Sequence, residues 1–284
     1  MNTIEYLTRS SADLFWPGVL TLLVVAAVCS LLSVVVVLKR MAFVGQGVSH
    51  AGFGGVGISA ALGLATSTSA TLGIVLAFCI GSAFLIAALS RRRDTEPDTA
   101  IGIVLVASMA LGSVLLHLAH QWHPAERVPG WEGVLFGSTL LSGWSEATWS
   151  AGVASIILML AAWFRRPVVA WAFDEPGAEA MGVRVGAVRA LVLILITLAI
   201  VLAMRVVGVV LATALLVLPG ATALSISARW RPVLLLSVAT GVLGAAIGIV
   251  LSFEADWPTG AAVVLSLTAL YALARIVRSV HGRR

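Results

Sequence analysis

Apolar residues in this chain come in long unbroken blocks. They show neither the one-face spacing of a soluble amphipathic helix nor the alternation of a half-buried strand. A block of about 20 apolar residues is long enough to cross a bilayer core. In chain order the blocks predict spans over 16–38, 48–66, 70–89, 100–119, 145–164, 187–204, 206–226, 233–252 and 258–277. The second of these is rich in glycine, and the sixth and seventh meet at Arg205. The stretch 133–142 (GVLFGSTLLS) is too short to span and reads as a re-entrant or interfacial piece. The expected fold is therefore an all-α integral membrane protein, a polytopic bundle of about nine helices, with eight to ten crossings compatible with the pattern. No break in the pattern announces a second domain, so residues 1–284 are expected to form one membrane domain.

Composition agrees. Only 11% of residues are charged, where a soluble domain carries about a quarter, so a water-facing surface cannot be covered. The net charge of +5 does not point to nucleic acid, because the basic residues lie between apolar blocks and not along one face. On the nine-span reading, one side of the membrane holds Lys39, Arg40, Arg91, Arg92, Arg93, Arg165, Arg166, Arg184, Arg189, Arg229, Arg231, Arg275, Arg278, Arg283 and Arg284. The other side keeps Arg9, Arg127 and Arg205. Basic residues concentrate on the cytoplasmic side of inner-membrane proteins, which predicts an outside amino terminus and a cytoplasmic carboxyl terminus. Cys29 and Cys79 both fall inside apolar runs and read as small packing residues, not as a disulfide. The amino terminus lacks the pattern of a cleaved signal peptide.

Four segments carry chemistry worth weighing. In KRMAFVGQGVSHAGFGGVGISAALG (39–63), Gln46 and His50 stand i and i+4 and so share one helical face. An ionisable side chain in an apolar span is a functional candidate by default, and neutral imidazole is a common zinc ligand. The competing reading is a histidine that hydrogen-bonds a neighbouring helix and fixes packing. In WAFDEPGAEAMGV (171–183), Asp174, Glu175 and Pro176 form a favourable helix start and Gly182 a natural stop. With Ala178 and Ala180 small, such a helix suits a groove on a soluble partner; an ordinary loop is the plainer reading. In RVVGVVLATALLVLPGATA (205–223), Pro219 and Gly220 are expected to kink or break a helix, with Thr213 and Thr222 lining a cavity or merely packing. His117, His120 and His123, with Glu126, lie at the outer end of the fourth span as a metal-collecting mouth or a solvated cluster. There is no GxxxxGK[ST], HExxH or G-x-S-x-G anywhere, so neither a nucleotide site of the P-loop kind nor a hydrolytic centre is legible.

Taken together, these segments resemble the metal-ion permeases of the ABC-3 family. RMAFVGQGVSHAGFGGVGIS is similar to that family's signature, and DTAIGIV (98–104), VLFGSTL (134–140), DEPGAEAMGV, MRVVGVVLATALLVLPGATA and DWPTGAAVVL (256–265) follow in the family's order. The resemblance implies a permease that dimerises, works with a cytoplasmic ATPase that binds the ATP, and receives metal from an extracytoplasmic metal-binding protein. It implies that 174–182 is the coupling helix, seated on the ATPase through Asp174, Glu175, Ala178 and Gly182. It also implies a metal path in which His50 keeps the family's histidine, while Gln46 replaces the family's aspartate. A neutral amide oxygen suits manganese less than a carboxylate would, so the expected cargo is zinc, then manganese, then iron. The chain itself is expected to be no enzyme and to hold no cofactor, with lipid as its surroundings. The main alternative, a secondary transporter driven by an ion gradient, calls for mid-span carboxylates, and none of the 13 acidic residues lies there.

Overall fold

Inside lipid a backbone must satisfy its own hydrogen bonds, so apolar blocks of this kind fold as helices. The computed structural model describes residues 12–64, 68–90, 96–122 and 143–281. Within them lie ten helices and no strand: α1 Ala12–Leu38, α2 Ala42–Ala61, α3 Thr68–Leu89, α4 Pro97–Trp122, α5 Trp144–Trp163, α6 Arg165–Phe173, α7 Glu175–Ala180, α8 Val185–Ile226, α9 Trp230–Ala255 and α10 Thr259–His281. Eight stretches among the described residues are long and apolar enough to cross a membrane, two of them within α8 (Val185–Met204 and Val207–Ile226). With α2 they account for the nine expected helices. The segment 133–142 lies outside the described residues.

Two boundaries differ from the sequence reading. The glycine-rich helix was expected over 48–66 and instead runs from Ala42 to Ala61. It stops early because Gly63 takes a left-handed conformation (φ 68). The Gly63 and Leu64 amides then donate back to the carbonyls of Ala60 and Ser59, at 3.0 Å each, which closes the helix end. In α8 the non-helical residue is Gly208 (φ 81, ψ 168), three residues past the join expected at Arg205, and none falls at Pro219 or Gly220, where a further kink or break was expected. Proline's fixed φ is itself helical, so the chain passes through Pro219 without leaving helical geometry. A positive φ of 81° is open at little cost only to glycine.

The helices assemble as two compact units interleaved in sequence, a subdivision that the hydropathy pattern does not announce. One unit contains α1, α5, α8 from Leu202, α9 and α10. Here α9 packs on α1 and α10, and α1 also meets α5. Three fully buried serines join α1 to α9. Ser237 Oγ donates to the Ser30 carbonyl at 2.6 Å, Ser33 Oγ donates to the same carbonyl at 2.8 Å, and the two hydroxyls lie 3.1 Å apart. Gly220 lets α8 close on the same stretch, since a Cβ there would stand 2.6 Å from the Ser33 backbone carbonyl. At one end of this unit the Arg278 guanidinium donates to the Ser225 carbonyl at 2.7 Å, tying α10 to the last turn of α8. The DWPTG motif proves to be the turn from α9 to α10. Asp256 is left-handed (φ 53), and Ser252 Oγ donates to the Trp257 carbonyl at 2.7 Å.

The other unit contains α2, α3, α4, α6, α7 and α8 to Val201, with α2 packed against both α3 and α4. The packing of α2 is made largely at glycines, and these are why it lacks the hydropathy of a span. Thirteen of its positions are buried, and the glycines are where the neighbours come close. A Cβ on Gly55 would meet the Val75 backbone of α3 at 2.8 Å.

Candidate ion path and coupling helix

Residues 46 and 50 are placed by the glycine face of α2. Gly47 turns toward Ile86 of α3 and Ile101 of α4, which leaves Gln46 exposed and His50 half-buried one turn apart. Ser49 bonds back to the Gly45 carbonyl (2.8 Å), and the Cys79 thiol of α3 donates to the Val48 carbonyl (3.6 Å). The backbone around His50 is therefore held from both sides. His50 Nδ1 is buried and has no hydrogen-bond partner among the described residues. A buried imidazole nitrogen without a protein partner calls for an explanation, and a guest ion or an ordered water is the usual one. Among the described residues no three His, Cys, Asp or Glu side chains converge on one point.

The outer histidines behave otherwise. His117 and His120 are exposed at the end of α4. His120 Nδ1 donates to the Leu116 carbonyl at 2.7 Å, and His117 Nε2 pairs with the Gln121 amide at 3.1 Å. Each imidazole uses one nitrogen within its own helix and one remains; His123 lies outside the described residues. Thr213 and Thr222 belong to the other unit. Their hydroxyls donate to the carbonyls of Val210 and Leu218, both at 2.8 Å, so both are already satisfied within α8.

The segment 174–183 folds as its residues suggest. Asp174 is the N-cap of α7, and its carboxylate accepts from the Gly177 amide at 3.1 Å. Pro176 occupies the first turn, where its missing N–H costs nothing. At the far end Gly182 is left-handed (φ 81). Its amide and that of Val183 donate to the carbonyls of Glu179 and Ala178, at 2.9 and 3.0 Å, forming a paired C-terminal cap. Ala178 is fully buried, while Phe173 and Met181 on either side are 55% and 72% exposed. The helix thus seats one small residue inward, and the residues that flank it, Phe173 at the end of α6 and Met181 at the C-cap of α7, present large apolar side chains outward. Sequence reasoning missed one partner: Glu175 is ion-paired to Arg189 in the first turns of α8, at 2.5 Å. Fourteen residues separate the two, and no local spacing rule links them.

Comparison with known proteins places this architecture. The chain is 32% identical over 258 residues to the manganese transport system membrane protein MntC of Halalkalibacterium halodurans, covering 89% of this chain and 83% of that one. It is 30% identical over 274 residues to a Haemophilus influenzae protein named "Probable iron transport system membrane protein", covering 94% of each. Among solved structures, PsaBC from Streptococcus pneumoniae in complex with Fab superposes with a TM-score of 0.82 at 27% identity. That match covers 95% of this chain and 93% of the other. The model of the ABC 3 transport family matches residues 11–278, almost the whole length, and the chain belongs to that family.

Proposed function

We propose that this chain is the membrane-spanning permease subunit of an ABC importer that moves a divalent transition-metal ion into the cytoplasm. The observation that carries the reading is the end-to-end family match, with relatives named for manganese and iron transport. A buried, unpartnered imidazole nitrogen on a helix held from both sides supports it. In this reading ATP is hydrolysed by a separate cytoplasmic subunit, an extracytoplasmic metal-binding protein delivers the ion, and two copies of the permease flank the path. The α7 helix is the contact with the ATPase, flanked by exposed Phe173 and Met181 as apolar knobs. The Arg278–Ser225 bond sets Arg278 beside the last turn of α8, which Arg229 and Arg231 follow in the chain. That supports a common, cytoplasmic side for these basic residues.

For the cargo, the donor set favours zinc. Imidazole and a neutral amide suit zinc, whereas manganese prefers carboxylate oxygens. Manganese is the second reading, favoured by the names of the relatives. The test is uptake in a strain lacking its own importers, supplied with this permease, its ATPase and its binding protein, with zinc, manganese and iron measured separately. Accumulation of none of the three would overturn the proposal, and the order of accumulation decides the cargo.

A further inference from the structure

The pair Glu175 and Arg189 spans a joint. Between α7 and α8 the chain runs through Met181–Arg184 and turns at Gly182, whose φ of 81° lets the backbone reverse. Glu175 lies at the start of α7 and Arg189 in the second turn of α8, so their contact closes a triangle whose apex is that turn. A helix of six residues has no independent stability. The cap at Asp174 and the paired cap at Gly182 hold its helical form, and both are internal to the segment. The ion pair is a tie across the open side of the joint, from α7 to α8.

We infer that Arg189 is a positioning residue for coupling: through Glu175 it fixes α7 to α8, so that a displacement of α7 is delivered to the membrane helix as rotation and not absorbed at the Gly182 turn. This rests on the proposed reading of α7 as the ATPase contact, and it gives Glu175 an inward role within the permease. Both side chains are about one-third exposed (37% and 34%), and such a pair adds little to folding stability. Its effect is therefore to be sought in coupling.

The test uses the full transporter, permease with ATPase and binding protein, in vesicles supplied with zinc, manganese or iron. The variants are Arg189→Glu, Glu175→Arg and the double exchange. Each single variant is expected to keep the ATPase bound and to lower ions moved per ATP about tenfold, a typical size for coupling between linked sites. The double exchange is expected to recover to within about twofold of the original. A parallel measurement takes the spin-label separation between Glu179→Cys and Gly186→Cys, which should broaden in each single variant and narrow again in the double. Unchanged ions per ATP in the single variants, or a double as poor as the singles, overturns the clamp. If the unaltered complex moves none of the three metals, the proposed function falls. The spin-label widths then decide alone, with broadening in the singles supporting the clamp and unchanged widths rejecting it.

Discussion

Gly57 of α2 and Gly112 of α4 meet without side chains between them: a Cβ on Gly57 would stand 2.8 Å from both the Cα and the carbonyl oxygen of Gly112. Backbone-to-backbone approach of this kind is how helices associate where lipid supplies no hydrophobic drive. Because the obstructing atoms are backbone, they cannot rotate aside. Gly57→Ala is expected to destabilise the protein by about 1–3 kcal/mol, the usual cost of overpacking. Gly73→Ala, whose Cβ would meet nothing within 4 Å, is the control and should leave thermal unfolding in detergent unchanged. Equal melting of the two variants would contradict the close packing of α2 on α4.

The ion-path reading of His50 is tested by transport per folded molecule. His50→Ala should abolish metal uptake while protein level and dimerisation persist. Gln46→Asp adds a charged oxygen one turn away and should retain uptake while shifting preference toward manganese. A packing role predicts the reverse, lower folded yield in His50→Ala and recovery in His50→Asn. Normal specific uptake by His50→Ala would remove the residue from the path.

At the coupling helix, shape and surface are separable. Gly182→Val places a β-branched residue at φ 81°, a penalty of about 1–2 kcal/mol, and should loosen the end of α7 and weaken ATPase association. Phe173→Asp with Met181→Asp leaves the backbone caps intact but removes the exposed apolar pair. Loss of ATPase co-purification in the double variant, with folding retained, is the expected result. Retention in both cases would move the contact elsewhere.

Orientation is read from two exposed positions on opposite ends of α9. Ala255→Cys, at the turn into α10, should react with a membrane-impermeant thiol reagent added outside intact cells. Ala228→Cys, at the turn from α8, should react only after the membrane is opened. The native Cys29 and Cys79 are buried and give a low background. Labelling of Ala228→Cys alone from outside would invert the topology.

The long apolar helices are legible because each carries enough apolar residues to span, whether it is packed by other helices like α1 or exposed like α10, and α1, α3, α4, α5, α9 and α10 match their apolar blocks to within a few residues. The same measure misplaces α2, since its closest contacts fall on glycines, which lower its hydropathy. The stop at Gly63 was visible as a glycine but outweighed by the apolar residues around it. In α8 the join near Arg205 is legible as two apolar blocks, but the residue that breaks the helix, Gly208, is not, because a glycine's positive φ leaves no mark in the sequence, whereas Pro219 advertises a break that its helical φ does not require. The cap residues Asp174 and Gly182 were readable because capping is local. The Glu175–Arg189 pair was not, because it depends on the direction of the chain after Gly182.

The serine cluster of α1 and α9 bears on how the protein is made. Its two halves are separated by 207 residues, so a ribosome adding 5–20 residues per second finishes α9 roughly ten to forty seconds after α1. Through that interval α1 must reside in the bilayer with Ser30 and Ser33 facing no partner. Ser33 is suited to the wait, since its hydroxyl already bonds to a carbonyl of its own helix. When Ser237 arrives it finds an acceptor at one depth in an otherwise featureless apolar surface. The late helix is thereby stopped at a single height, and the order of synthesis becomes part of how the bundle finds its register.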